Sequence, residues 1–319
     1  GSHIGMMKDL LQEKNALYGR FAVTIKLNEL NYLDTAKFYP DKTPYDKVAH
    51  YAVFGGSPFV NQALRPTATL RENIVSTILN PVSAVYLYAS QLLLSDYSVK
   101  INAERIFAVI GNGKKRYSEI EDKLDVKKTG NLAKQMKPLR DLEIISRNYP
   151  INKLNDSKKS TFEINDNLLR FYFTFIYKNA SALQVLGAEA FYDEYVAPTL
   201  TDFISRRFEG ICRDYFSLQV RSGKLKGVRN IGSYYYDDPV HRKNSEFDVA
   251  LELADGYAIY EAKYYAQPMT LDEIHREAQQ VANIKELAVK QLGFIAINGF
   301  VEQEKPYTYL DGNDIFAGM

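Results

Sequence analysis

Apolar residues recur at three-and-four spacing in MMKDLLQEKNAL and TLRENIVSTILN, which predicts helices through most of residues 1 to 98. GGSP, Gly55 to Pro58, ends one helix and opens the next. From about Ile101 the segments shorten. INAERIFAVIGNG, YSEIEDKLD and KKTGNLAKQMKPLRDLEII read as three helices, and SRNYPINKLNDSKKSTFEIND as two strands joined by a polar loop. That order predicts a winged helix-turn-helix. In its third helix, Lys127 to about Arg140, Leu132, Met136 and Leu139 form the buried stripe, and Pro138 predicts a kink or an early end. LRFYFTFIYKNAS carries rings at helical spacing and reads as core rather than as a platform for bases.

The last third alternates differently. A long helix, APTLTDFISRRFEGICRDYF, is followed by NIGSYYY, by two strands in SEFDVALELADGYAIYEAKYY, by a helix opened by a Thr270/Glu273 capping box and running to about Gln291, and by FIAINGF. Helix, three strands, helix, strand is an α/β order, with the last strand added parallel after a helical crossover.

Composition narrows the class. The chain has 319 residues, 46% hydrophobic and 25% charged, as in ordinary soluble globular proteins with two or three domains. Net charge is +1, so a nucleic-acid surface must be a local patch. Such a patch exists: residues 101–160 hold 14 Lys and Arg against 8 Asp and Glu. Lys127, Lys128, Lys134, Lys137 and Arg140 of the third helix are candidate phosphate contacts; a solvated helix face is the other reading. The single cysteine, Cys212, excludes an internal disulfide, and four scattered histidines argue against a structural zinc site. No apolar run reaches a membrane span and no leader opens the chain, so a cytoplasmic protein without a membrane partner is expected.

The candidate chemistry lies in the hairpin. With Asp255-Gly256 as a two-residue turn, Ala254 faces Tyr257, Leu251 faces Tyr260, Ala250 faces Glu261 and Asp248 faces Lys263. Glu261 is then diagonal to Asp248 on one surface, with Val249, Leu251, Leu253, Ala258, Tyr260 and Ala262 on the core-packing face. Two carboxylates can hold a hard cation such as Mg²⁺ or Mn²⁺, which activates water and offsets charge on a scissile phosphate while an ammonium orients the nucleophile. Glu209, on the preceding helix, adds a third acid if that helix packs beside the hairpin. Acid-any-lysine triplets also occur at Glu121/Lys123, Asp125/Lys127 and Asp156/Lys158, none on a convincing strand, so the paired strand is what gives this triplet meaning.

Asp248 and EAK (Glu261, Ala262, Lys263) resemble the PD-(D/E)xK nuclease superfamily, with Glu209 where many members carry a helix glutamate. NALYGRF, YAVFGGSPFV, FEGICRDYF, IGSYY and EFDVA extend the resemblance to archaeal-type P-loop ATPases over nearly the whole chain. The resemblance implies a multidomain α and α/β protein: a helical ATPase lid over 1–98, a winged helix-turn-helix over 99–178, and a restriction-endonuclease-like α/β domain with a mixed sheet over 179–319. GSH at the start reads either as a tag remnant or, because GS…MM precedes LYGR in that family, as native. Arg20 of LYGR is a structural arginine or a nucleotide contact of an intact protein. No GxxxxGK[ST] occurs and GNGKKR lacks its spacing, so ATP is implied only for an intact protein with the nucleotide-binding core. DNA is the implied partner, and a homo-oligomer stays open. The alternative is a non-catalytic regulator whose winged helix binds DNA or protein and whose nuclease-like domain is a scaffold.

Overall fold

A computed structural model describes residues 23, 25, 27–95, 103–111, 113–126, 131–238 and 243–317. The helix expected over MMKDLLQEKNAL, Arg20, Lys127 and Lys128 lie outside the described residues.

Tyr32–Ala36 (α1) is followed by Pro44–Phe54 (α2), which opens on a proline whose fixed φ suits a first helical turn. Gly55, at φ 69°, ends it, and Pro58–Ala63 (α3) begins after Ser57, as GGSP predicts. Thr69 and Glu72 close a reciprocal capping box on Leu70–Ser76 (α4), and Ala84–Ser95 (α5) follows. Next come Ala103–Ile110 (α6), the short strand Lys115–Arg116 (β1), Tyr117–Leu124 (α7), Asn131–Asp141 (α8), Ile145–Asn148 (β2) and Thr161–Ile164 (β3). The three strands form one sheet in the order β1-β3-β2. Ile106, Phe107, Ile120, Phe162 and the Leu132, Met136, Leu139 stripe share one core. Pro138 does not end α8, which continues to Asp141. A proline there removes one N–H, while the buried stripe on both sides of it holds the helix to the core.

Asn167–Phe171 (α9) is capped by Asp166 and widens into a π turn over Tyr172–Ile176. Phe171, Phe173 and Phe175 are buried, as the ring spacing predicts. Ala180–Phe191 (α10) and the 25-residue Ala197–Arg221 (α11) lead into Asn230–Asp238 (β4), Lys243–Glu252 (β5), Tyr257–Lys263 (β6), Leu271–Ala282 (α12), Val289–Ala296 (β7), Thr308–Asp311 (β8) and Gly312–Phe316 (α13). These five strands form a mixed sheet in sequential order. β4, β5 and β6 are antiparallel; β7 and β8 are added parallel. The parallel crossover through α12 is as expected, but α12 ends at Ala282 rather than near Gln291, because residues from Val289 are recruited to the sheet. β8 has no counterpart in the sequence reading.

By packing, the chain divides into two units: the described parts of Gly1–Asn31 with Val53–Arg147 and Phe162–Val196, and Tyr32–Ala52 with Asn148–Thr161 and Ala197–Met319. Two short segments therefore leave chain order and pack within the second unit. Its sheet is covered on both faces. Phe216 of α11 lies against Tyr260, ring centroids 4.5 Å apart, on the face that Val249, Leu251 and Ala258 share. Ala250 and Ile259 on the other face pack with Val281 of α12 and with Leu287. The edge strand β4 is capped by the loop that joins β2 to β3. The Ile151 N–H donates to the Ser233 carbonyl at 2.8 Å, and the Asn152 amide brackets Tyr235, donating to its carbonyl at 2.8 Å and accepting from its N–H at 3.0 Å. The Lys159 ammonium sits 4.0 Å from the centre of the Tyr235 ring. These bonds occupy backbone groups that an open edge would offer to another chain.

Gly293 tests the packing between β6 and β7. A Cβ there would meet the Tyr260 ring at 2.4 Å, and that ring is backed by Phe216. Gly293→Ala is expected to lower the unfolding free energy by about 1–3 kcal/mol, the usual cost of overpacking. Urea unfolding measures it, and a change within about 0.5 kcal/mol, the ordinary surface range, would contradict the register.

Candidate active site

The two-residue turn expected at Asp255-Gly256 is a four-residue loop. Glu252 pairs with Tyr257, and inside the loop the Leu253 N–H donates to the Gly256 carbonyl at 2.8 Å. Gly256, at φ 157°, passes so close to the Ala288 carbonyl that a Cβ would lie 2.4 Å from it. Lengthening the loop by two residues slides the pairing by two. Leu251 faces Ala258, not Tyr260, Ala250 faces Ile259, not Glu261, and Val249 faces Tyr260, where the pairing of the two strands ends, so Asp248 is not set against Lys263. A slip of two preserves which face each side chain takes, so Glu261 and Lys263 still share a surface.

At the same point β5 carries a bulge. Gly232 pairs with Ala250 and Tyr234 with Phe247, so Asp248 and Val249 together oppose Ser233. Bulges re-aim side chains and are common beside active sites. Arg213 of α11 fixes the bulge, donating from Nη1 to the Asp248 carbonyl at 2.7 Å. Glu209 lies one turn before Arg213 on α11 and is half-buried.

Lys263 is the centre of the charges. Its Nζ is 2.7 Å from Glu261 Oε1 and 3.3 Å from Oε1 of Glu277 on α12. Burial pushes the Glu261 carboxyl up to about 6; Lys263 pulls it down, while Glu277 and Asp248 push it up. Burial opposes the charge on Lys263, but Glu261 and Glu277 outweigh it and hold the ammonium above the ordinary lysine range. Two carboxylates, Glu261 and Glu277, thus bear on one lysine, and Asp248 bears on Glu261. Among the described residues no group of three or more His, Cys, Asp or Glu is arranged to hold a metal ion. The oxygen groups near Lys263 that could bear on a cation are the Asp248 and Glu261 carboxylates and the Ala262 carbonyl.

Glu277 is the residue that sequence reasoning missed. Its signal was present: in LDEIHREAQQVA it stands three after Ile274 and four before Val281, on the helix's apolar stripe rather than on its wet face.

The candidate nucleic-acid residues are dispersed in kind. Lys134 and Lys137 are exposed on α8, and Lys137 pairs with Asp141 at 2.9 Å, an acid just past the expected helix end. Arg140 is half-buried, and its Nε is buried without a hydrogen-bond partner. No helix among the described residues is long and apolar enough to cross a membrane.

Residues 172–279 match a family described as archaeal and bacterial proteins of unknown function, DUF234. An uncharacterized protein of Methanocaldococcus jannaschii is 25% identical over 228 residues, covering 70% of this chain and 50% of that protein. The chain thus spans about half the length of that relative. Among solved structures, protein VC1899 from Vibrio cholerae aligns over 94% of this chain and 62% of its own, with 8% identity and a TM-score of 0.27, which carries no argument about fold.

Glu261 predicts a pH dependence. A carboxyl held at about 6 when folded, against 4.5 ordinarily, binds its proton more tightly in the folded state, so stability falls as pH rises from about 4.5 to 6 and is level above that. The loss is about 2 kcal/mol at 1.4 kcal/mol per unit. Glu261→Gln should remove this segment from the stability-pH curve, read by thermal unfolding at steps from pH 4.5 to 7; parallel curves for the two proteins would refute the assignment.

Proposed function

We propose that this chain is the DNA-binding and DNA-cleaving part of a protein of the ATPase family it resembles, with a metal-dependent phosphodiesterase site in the second unit. One observation carries the reading: Glu261 and Lys263 meet on one sheet surface at 2.7 Å, and Asp248 of the neighbouring strand bears on the Glu261 carboxyl. Asp248, Glu261 and the Ala262 carbonyl are hard oxygen donors, and Mg²⁺ or Mn²⁺ keeps several waters, so the set fits in kind and in number. When bound, such an ion lowers the pKa of a water and offsets charge on the phosphate. Asp248 and Glu261 would hold it, and Lys263 would orient the attacking water. ATP binding is proposed only for a longer protein that carries a P-loop.

For DNA, the order α6, β1, α7, α8, β2, β3 supports a winged helix-turn-helix with α8 as the groove or backbone element. The loop that would serve as a wing is committed to β4 through Asn152 and Lys159, so Lys127, Lys128, Lys134, Lys137 and Arg140 are left to supply the phosphate contacts.

The non-catalytic alternative is favoured by the ion pairs themselves: Lys263 already satisfies Glu261 and Glu277, and a scaffold would need nothing more. Calorimetry separates the two. Mn²⁺ should bind the wild-type chain and bind Asp248→Ala more than about tenfold more weakly, since even outer partners of metal sites cost that much. Absence of binding by the wild type leaves the scaffold reading. Cleavage of plasmid or branched DNA with Mg²⁺ that survives Lys263→Ala would refute the role of the lysine.

DNA affinity measured against salt tests α8 separately. Lys134→Ala should lower the slope of log K against log salt by about one while weakening all sequences alike. A wild-type affinity that ignores salt would exclude phosphate contacts.

A further inference from the structure

Glu277 sits where an apolar residue would be expected. Ile274 and Val281, on the same helix face, are 0% and 4% exposed, and the Glu277 side chain is only 13% exposed. A carboxylate placed there costs free energy unless it is paired. Its neighbours are Lys263 at 3.3 Å and, from the exposed side, Arg276 at 3.7 Å. The Lys263 ammonium therefore lies between two glutamates from different elements, Glu261 of β6 at 2.7 Å and Glu277 of α12. Three donor hydrogens allow it to serve both.

A divalent cation on Glu261 would repel that ammonium. With Glu261 as its sole acceptor, Lys263 would either compete with the ion for the carboxylate or leave the site. The second glutamate gives the ammonium another anchor 3.3 Å away, within reach of a change in side-chain torsion rather than of the backbone.

We propose that Glu277 is a positioning residue that retains the Lys263 ammonium beside the site when a divalent cation takes the Glu261 carboxylate. This deepens the proposed function and rests on it. Glu277 acts through the lysine and is not itself a metal ligand, and that distinction is measurable.

The test is a double-mutant cycle of Glu277→Gln and Lys263→Met, with Mn²⁺ affinity read by calorimetry and thermal unfolding read without metal. With Lys263 present, Glu277→Gln is expected to weaken Mn²⁺ about tenfold, because lysine and ion then compete for one carboxylate; in the Lys263→Met background its effect should fall below about twofold. Equal losses in both backgrounds would make Glu277 a ligand or a bulk charge and overturn the proposal, as would no loss in either. Without metal, the two substitutions should be non-additive in melting temperature; additivity would show that the pair does not interact and overturn the proposal independently. If Glu277→Gln does not fold, Glu277→Asp should give the same lysine-dependent loss. A wild type that binds no Mn²⁺ sinks the proposed function together with this role, whereas wild-type binding that is indifferent to Glu277 sinks the role alone.

Discussion

A lysine shared by two carboxylates, beneath a helix and on a sheet covered on both faces, is the constraint around which the second unit is arranged. The interior could have been sealed with apolar residues at these positions. Replacing a buried ion pair by well-packed hydrophobic groups is often neutral or stabilising, while removing a single partner leaves a charge stranded. Glu261, Lys263 and Glu277 thus stabilise the fold only as a set. Their formal net charge with Asp248 is negative, and burial first, with Glu277 and Asp248 adding to it, raises the proton affinity of Glu261. An excess of buried carboxylate is relieved by a proton or by a cation, which makes the cluster more informative about chemistry than about stability.

The bulge in β5 matters because it sits at the residue that must join that cluster. A regular strand would carry Asp248 and Val249 to opposite faces with no backbone group to spare. With two residues set against Ser233, the Asp248 carbonyl is instead taken by Arg213, which anchors the bulge to α11. α11 thus fixes the acid of β5 by its backbone while α12 fixes the lysine of β6 by its charge. The two helices that cover the sheet each anchor one part of the site, so its geometry depends on packing on both faces.

Much of this was legible in the chain. Helical spacing located Leu132, Met136 and Leu139, the ring spacing located Phe171, Phe173 and Phe175, and the crossover through α12 followed from the order of elements. The surface shared by Glu261 and Lys263 was legible too, since a period of two survives any even slip of register. The slip itself was not: Asp-Gly is a strong turn signal, but the approach of Gly256 to the Ala288 carbonyl, a contact 32 positions away in sequence, decides the loop. Glu277 escaped because charge marks a wet helix face by default, and only the positions of Ile274 and Val281 reveal the exception. β8 escaped because four residues with intermediate burial give no alternation to count. The recruitment of 148–161 to the second unit depends on side-chain bonds such as those of Asn152, which no local pattern encodes.

The same recruitment changes what the basic segment means. Counted along the chain, residues 101–160 form a cationic block, and a block suggests one surface. Three of its lysines, Lys153, Lys158 and Lys159, lie in the loop that packs with the C-terminal unit, and Lys159 is spent on Tyr235. Of the cations on α8, Lys137 is offset by Asp141, and Arg140 is drawn partly into the interior. A phosphate backbone responds to charge that is exposed and on one side, not to charge that is merely adjacent in sequence. Among the described residues, Lys134 is the exposed cation of α8 that no acid offsets in this way, so any phosphate contact proposed for that helix rests chiefly on Lys134.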